Sequence, residues 1–180
     1  MMSRLIILFT LSYTLLFGYE YDRLLLRAQS NIFPKLLLLD KHLAKKVSDN
    51  EIVFCIVHHP SDRIKSEKIK DMLKEKFGQK LEKYKFKVIL KEFDDVKEDD
   101  KVNAYYILQG SYEKVEKISN IAKKNKIPTF SYDPLYFKED VLISMTIQNS
   151  STIYLNKKIL KQYDIDFIDI FYQTVRFVDE

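Results

Sequence analysis

From residue 51 onward, short apolar runs alternate with longer amphipathic ones. EIVFCIV (51–57) is continuous, apolar and rich in β-branched residues, the pattern of a strand buried on both faces. HHPSD follows as a loop, and Ser61 or Asp62 is placed to cap a helix running to about Phe77. Ile69, Met72, Leu73 and Phe77 share one face of that helix, and Gly78 ends it. YKFKVILKEF (84–93) alternates charged and apolar residues, which predicts a strand with one wet face, and DDVKEDD (94–100) is a charged loop. AYYILQG (104–110) reads as another buried strand, SYEKVEKISNIAKKNK as a helix with Val115, Ile118, Ile121 and Ala122 inward, and IPTFSYD (127–133) as a fourth strand.

The last part of the chain has a different rhythm. VLISMTIQ (141–148) and STIYLN (151–156) lie too close together for an intervening helix, so they predict an antiparallel pair turning around Asn149–Ser150. Helical stretches are expected over Lys157–Gln162 and about Phe167–Phe177. Before the first strand, residues 21–46 are leucine-rich with a wide apolar helical face, and Pro34 predicts a break near Phe33 into two pieces. Strands separated by helices of this length imply right-handed crossovers. The expected fold is therefore α/β: a single domain with a mostly parallel sheet, flanking helices and an antiparallel C-terminal strand pair, resembling one lobe of a periplasmic binding protein.

Composition narrows the chemistry more than it defines it. The chain has 180 residues, 46% hydrophobic and 31% charged, which is globular and sufficient for one core. Its 30 basic and 26 acidic residues leave a net charge of +4, too weak to point to nucleic acid. Residues 1–18 (MMSRLIILFTLSYTLLFG) place Arg4 before an apolar run that ends at the small residue Gly18, the layout of a cleavable signal peptide. The expected organisation is thus a signal peptide over 1–18 and one domain over 19–180, with a periplasmic destination. A single cysteine, Cys55, excludes a disulfide framework within the chain, and its place in the most apolar strand predicts an inert packing residue.

In an open parallel sheet, ligands bind where loops leave the carboxyl ends of the strands. Three such loops carry candidate side chains: His58, His59 and Ser61 beside Asp62; Ser111 after Gly110; and Ser131 and Asp133 around Tyr132. Adjacent imidazoles on an extended segment point opposite ways, so the histidine pair assigns no metal. Ser61 and Ser111 at helix starts could hold an anion on free backbone N–H groups, or simply cap. No phosphate loop, nucleophile elbow, zinc-protease helix or paired-cysteine motif is present, no Ser–His–acid set stands out, and no cofactor is implied. The reading is of a protein that binds and does not catalyse.

The second half contains a recognisable succession: TFSYD (129–133), VLISMTIQ, IYLNKKILKQYDIDF (153–167) and a closing FYQTVRF (171–177). With the apolar leading helix and the strand IVFCIV, this resembles the YfiR-like family of exported bacterial regulators over about residues 21–178. The resemblance implies a non-catalytic periplasmic module, with a possible homodimer, that binds the periplasmic part of a membrane signalling protein. A diguanylate cyclase, linking it to cyclic-di-GMP signalling, or a sensor histidine kinase would be that partner. The alternative is a small-ligand-binding periplasmic protein using the loops at the carboxyl edge. Ser131, Asp133 and Asn156 match the family's strand-end positions, where the expected roles are turns and a strand-to-helix junction. Lys138-Glu139-Asp140 stand where the family often has Gly-Gly, and the lone Cys55 leaves no internal disulfide for redox sensing.

Overall fold

A computed structural model describes residues 22–178, so the expected signal peptide lies outside the described residues. Residues 22–37 form a helix, α1, and Leu43–Lys46 form a short α2. They are followed by β1 (Glu51–His58), α3 (Arg63–Phe77), β2 (Lys80–Leu81), β3 (Tyr84–Glu92), β4 (Ala104–Ile107), α4 (Tyr112–Asn125) and β5 (Thr129–Ser131). The chain continues through β6 (Ile143–Ile147), β7 (Ser151–Asn156), α5 (Lys157–Leu160), α6 (Asp169–Thr174) and β8 (Arg176–Val178).

The strands make one 8-stranded sheet in the order β2-β3-β1-β4-β5-β6-β7-β8. Its centre, β3-β1-β4-β5-β6, is parallel throughout. The long register from Glu51↔Lys85 to His58↔Glu92 makes β1 the axis of the sheet, and Phe54↔Ala104 through Val57↔Ile107 hold its other side. The expected antiparallel pair is β6–β7, in register from Ile143↔Leu155 to Ile147↔Ser151. A second antiparallel pair, β2–β3, closes the far edge, and β8 adds parallel to β7. The fold is thus α/β, mostly parallel, with flanking helices.

Alternation along the central strands sends side chains to two separate cores. Ile52, Phe54 and Ile56 of β1, Tyr106 of β4 and Phe130 of β5 face the larger one, covered by Leu25, Phe33 and Leu36 of α1 and Ile69 and Leu73 of α3. Cys55 and Val57 of β1 and Tyr105 and Ile107 of β4 face the other, covered by Val115, Ile118 and Ala122 of α4 and by Tyr136. Both sheet faces are covered, as a parallel sheet requires.

The structure departs from the sequence expectation in three places. The helix does not break at Phe33; α1 runs through Pro34 to Leu37. Phe33 stacks on Phe130 with ring centroids 4.9 Å apart and meets Tyr106 edge-on at 5.3 Å, so packing beside the proline holds the helix across the lost backbone bond. The last expected helix is shorter, since Arg176–Val178 pair with Tyr154–Asn156 as a strand. Neither Ser61 nor Asp62 caps α3 through its side chain; a 3-10 turn, Pro60–Asp62, stands in front of it.

Candidate functional site

The strand order reverses at β1, with β3 on one side and β4 on the other. This is the switch point at which the loops leaving adjacent strands diverge and a crevice is expected. The loops after β1, β4 and β5 leave three adjacent strands at the same edge, so the candidate residues are brought to one side of the molecule.

Their side chains are mostly committed to local structure. His58 is buried, and its Nδ1–H donates to the His59 carbonyl at 2.9 Å. That bond puts a proton on Nδ1. His59 is exposed and has the opposite arrangement, because its Nδ1 accepts the Ser61 N–H at 3.3 Å and lies 2.9 Å from Ser61 Oγ. The ring of His59 is therefore the cap of the Pro60–Asp62 turn. Among the described residues, no group of three or more His, Cys, Asp or Glu side chains is placed to hold a metal.

At β5, Ser131 is fully buried; its Oγ donates to the Asp133 carbonyl at 2.5 Å and accepts the Asp133 N–H at 3.0 Å. Asp133 Oδ1 accepts the Leu135 N–H at 2.9 Å and caps the 3-10 helix Pro134–Glu139. Asn156 plays the same part at the end of β7: its Oδ1 accepts the Ile159 N–H at 3.1 Å and its amide donates to the Phe137 carbonyl at 3.3 Å. Ser111 precedes α4 and is exposed, and its hydroxyl makes no capping bond.

Two aromatic residues outside the candidate loops' site set, Tyr136 and Phe93, fill the space between these loops. Tyr136 Oη accepts the Gly110 N–H at 2.9 Å and donates to the Gly110 carbonyl at 2.8 Å. Burial pushes that phenol's pKa up. The Phe93 ring lies against Gly110 so closely that a Cβ there would sit 2.5 Å from Phe93 Cζ. The crevice is packed with aromatic rings. The visible signal for this was a glycine at a strand end followed by an aromatic-rich segment.

A second polar array missed from sequence ties α1 to the same edge. Gln29, fully buried, donates from Nε2 to the carbonyls of Tyr132 and Met145, both at 3.1 Å, and its Oε1 accepts the Tyr106 hydroxyl at 2.5 Å. The Tyr132 hydroxyl donates to Asp22, Lys65 lies 3.6 Å from the same carboxylate, and its ammonium sits 4.7 Å from the Tyr132 ring centroid.

Outside these bonds, the carboxyl edge presents apolar surface. Ile64, Tyr112 and Leu135 are 70%, 58% and 63% exposed. Each lies in the first turn of the helical segment that follows β1, β4 or β5, so all three rise from adjacent loops of the same edge. Tyr112 meets Tyr136 edge-on with centroids 6.0 Å apart, which continues the buried aromatic plug outward to the surface.

No family model matches the chain, and no curated protein matches it. Solved structures do. A conserved domain protein from Vibrio cholerae O1 biovar El Tor aligns over 77% of this chain and 58% of its own at 14% identity, with a TM-score of 0.55. The ABC domain from Streptococcus pneumoniae, solved in complex with L-Trp, aligns over 78% of this chain and 59% of its own at 11% identity, with a TM-score of 0.53. At these identities the likeness shows the fold alone, an α/β domain with a mostly parallel sheet. The chain spans somewhat under three fifths of the length of these two structures.

Proposed function

We propose that this chain is an exported, non-catalytic binding module that docks the carboxyl edge of its sheet onto the periplasmic part of a membrane signalling protein. The observation that carries this is the exposure of Ile64, Tyr112 and Leu135 over a crevice already filled by Phe93 and Tyr136. A small molecule needs a concavity with free polar groups. Here the polar atoms of His58, Ser131 and Asp133 are spent on caps and turns. An apolar rim rising from three adjacent loops suits a protein surface instead. The resemblance to the YfiR-like regulators supports a diguanylate cyclase or sensor histidine kinase as the partner. The likeness to a domain solved with L-Trp supports a second reading, a small-ligand-binding protein.

The test is photo-crosslinking from position 135 in the native host, together with Ile64→Asp and Leu135→Asp. Both replaced side chains are exposed, so the variants keep the fold. The expected adduct contains a membrane protein with a cyclase or kinase output domain, and both variants shift cyclic-di-GMP or kinase output as deletion does. Variants that behave as wild type, or an adduct containing only a second copy of this chain, would overturn the reading.

A further inference from the structure

At the opposite, amino edge of the sheet lies a cavity of about 260 Å³. It is formed where the end of α1, α2, the segment entering β4, the turn from α4 into β5 and residues 164–167 come together. Leu37, Leu43, Phe130, Ile165 and Phe167 give it a buried apolar wall. At roughly 30 Å³ for each water-sized group, it has room for on the order of nine non-hydrogen atoms. Three other grooves among the described residues, one beside α1 and α3, one along α4 and one beside β1 and β3, are lined about half or more by charged side chains.

The polar groups around the cavity separate into spent and unspent ones. Asp40 accepts Lys46 Nζ at 2.8 Å, the His42 N–H at 3.0 Å and the Asp166 N–H at 3.3 Å, so both of its oxygens are occupied. Lys46 also donates to the Asp164 carbonyl. Asn103 is held between the Val53 N–H at 2.8 Å and the Lys46 carbonyl at 3.1 Å, and Asn125 donates to the Glu98 carbonyl at 2.8 Å. Two charges of opposite sign are left. Lys126 is exposed at the mouth, held there by a left-handed backbone (φ 56°) at the end of α4. The Asp164 carboxylate is 57% exposed, and its near neighbour is His42 Nδ1 at 3.7 Å, beyond hydrogen-bond distance.

We propose that this cavity binds a free apolar α-amino acid of about the size of leucine. The side chain would occupy the wall of Leu37, Phe130 and Phe167, the carboxylate would meet Lys126, and the ammonium would meet Asp164. A carboxylate without an ammonium would face Asp164 uncompensated. An amine without a carboxylate would face Lys126. The zwitterion is the one head group that satisfies both. The site is remote from the carboxyl edge, so it stands or falls independently of the docking reading.

Isothermal titration of the full-length chain with L-leucine tests this, against 4-methylpentanoate, which lacks the ammonium, and 3-methylbutylamine, which lacks the carboxylate. Leucine is expected to bind with a Kd of about 1 mM or tighter, and each truncated analogue about tenfold more weakly. Lys126→Gln should weaken leucine and leave 3-methylbutylamine unchanged; Asp164→Asn should weaken leucine and leave 4-methylpentanoate unchanged. Both residues are exposed, so neither change threatens the fold. Absence of heat with leucine, equal binding of all three compounds, or leucine affinity untouched by both substitutions would each overturn the proposal.

Discussion

Gln29 lies in the middle of the apolar face of α1, between Leu26 and Phe33, and both ends of its amide are engaged. A polar side chain in a core is stable only when its hydrogen bonds are complete. Gln29→Leu conserves volume but strands three partners: the Tyr106 hydroxyl and the carbonyls of Tyr132 and Met145. The expected loss is on the order of 2–4 kcal/mol of unfolding free energy, read from urea denaturation with an unchanged m-value. A change below about 0.5 kcal/mol would mean that the array contributes nothing net. At this scale the sequence was partly legible. Ser131, Asp133 and Asn156 carry the oxygens that turns and caps need, and the structure shows each making such bonds. Gln29 was not legible, because its partners come from 77 to 116 residues away. Nor was the use of the His59 ring as a cap, a task usually given to Ser, Thr, Asp or Asn.

Among the elements, those with a clear period were readable and those defined by a neighbour were not. The apolar run 51–57 became β1, and the stripe of Val115, Ile118, Ile121 and Ala122 became the buried face of α4. β2 has two residues and β8 three, too short for any period; each exists because an edge of the sheet stood open beside it. Pro34 misled for the complementary reason, since a local rule was outweighed by the stacking of Phe33 on Phe130. Cys55 tests how well the central element is closed. It sits in β1 between Ile89 of β3 and Tyr105 of β4, fully buried, and burial pushes its thiol up to about 12. The thiolate is the reactive form. Native protein at about pH 8 should therefore resist iodoacetamide, with alkylation appearing only across the urea transition and tracking unfolding by circular dichroism. Rapid alkylation without denaturant would show that β1 opens locally.

For the molecule as a whole, the alternation of strands and helices was enough to foresee a parallel sheet with both faces covered. The two ends of that sheet were not equally foreseeable. The carboxyl edge collects loops that follow strands directly, so its residues could be named from sequence, although the Phe93–Gly110–Tyr136 plug could not. The cavity at the amino edge joins residues 37–46, 102–103, 125–130 and 164–167, which no local pattern connects.

Covering both sheet faces also buries tyrosines, and this sets how stability depends on pH. Burial raises the phenols of Tyr105, Tyr106 and Tyr163 above their ordinary value of 10.0, and the Cys55 thiol above 9.0. In the folded chain these groups keep their protons; in the unfolded chain they release them near their ordinary values. Between those limits the unfolded state binds fewer protons, so unfolding becomes easier as pH rises. The stabilisation is fully present below about pH 9 and is progressively lost above it. Urea midpoints should accordingly be flat from about pH 7 to 9 and fall steeply beyond, with tyrosinate absorbance rising in step with unfolding. Tyr105→Phe tests the share of one of these phenols. Its buried hydroxyl has no hydrogen-bond partner, so the substitution should leave stability at neutral pH unchanged or raise it by up to about 1 kcal/mol. It also removes one of the protons whose release drives alkaline unfolding, so the slope above pH 9 should become shallower. A wild-type slope in Tyr105→Phe would show that the Tyr105 phenol contributes nothing to the pH dependence.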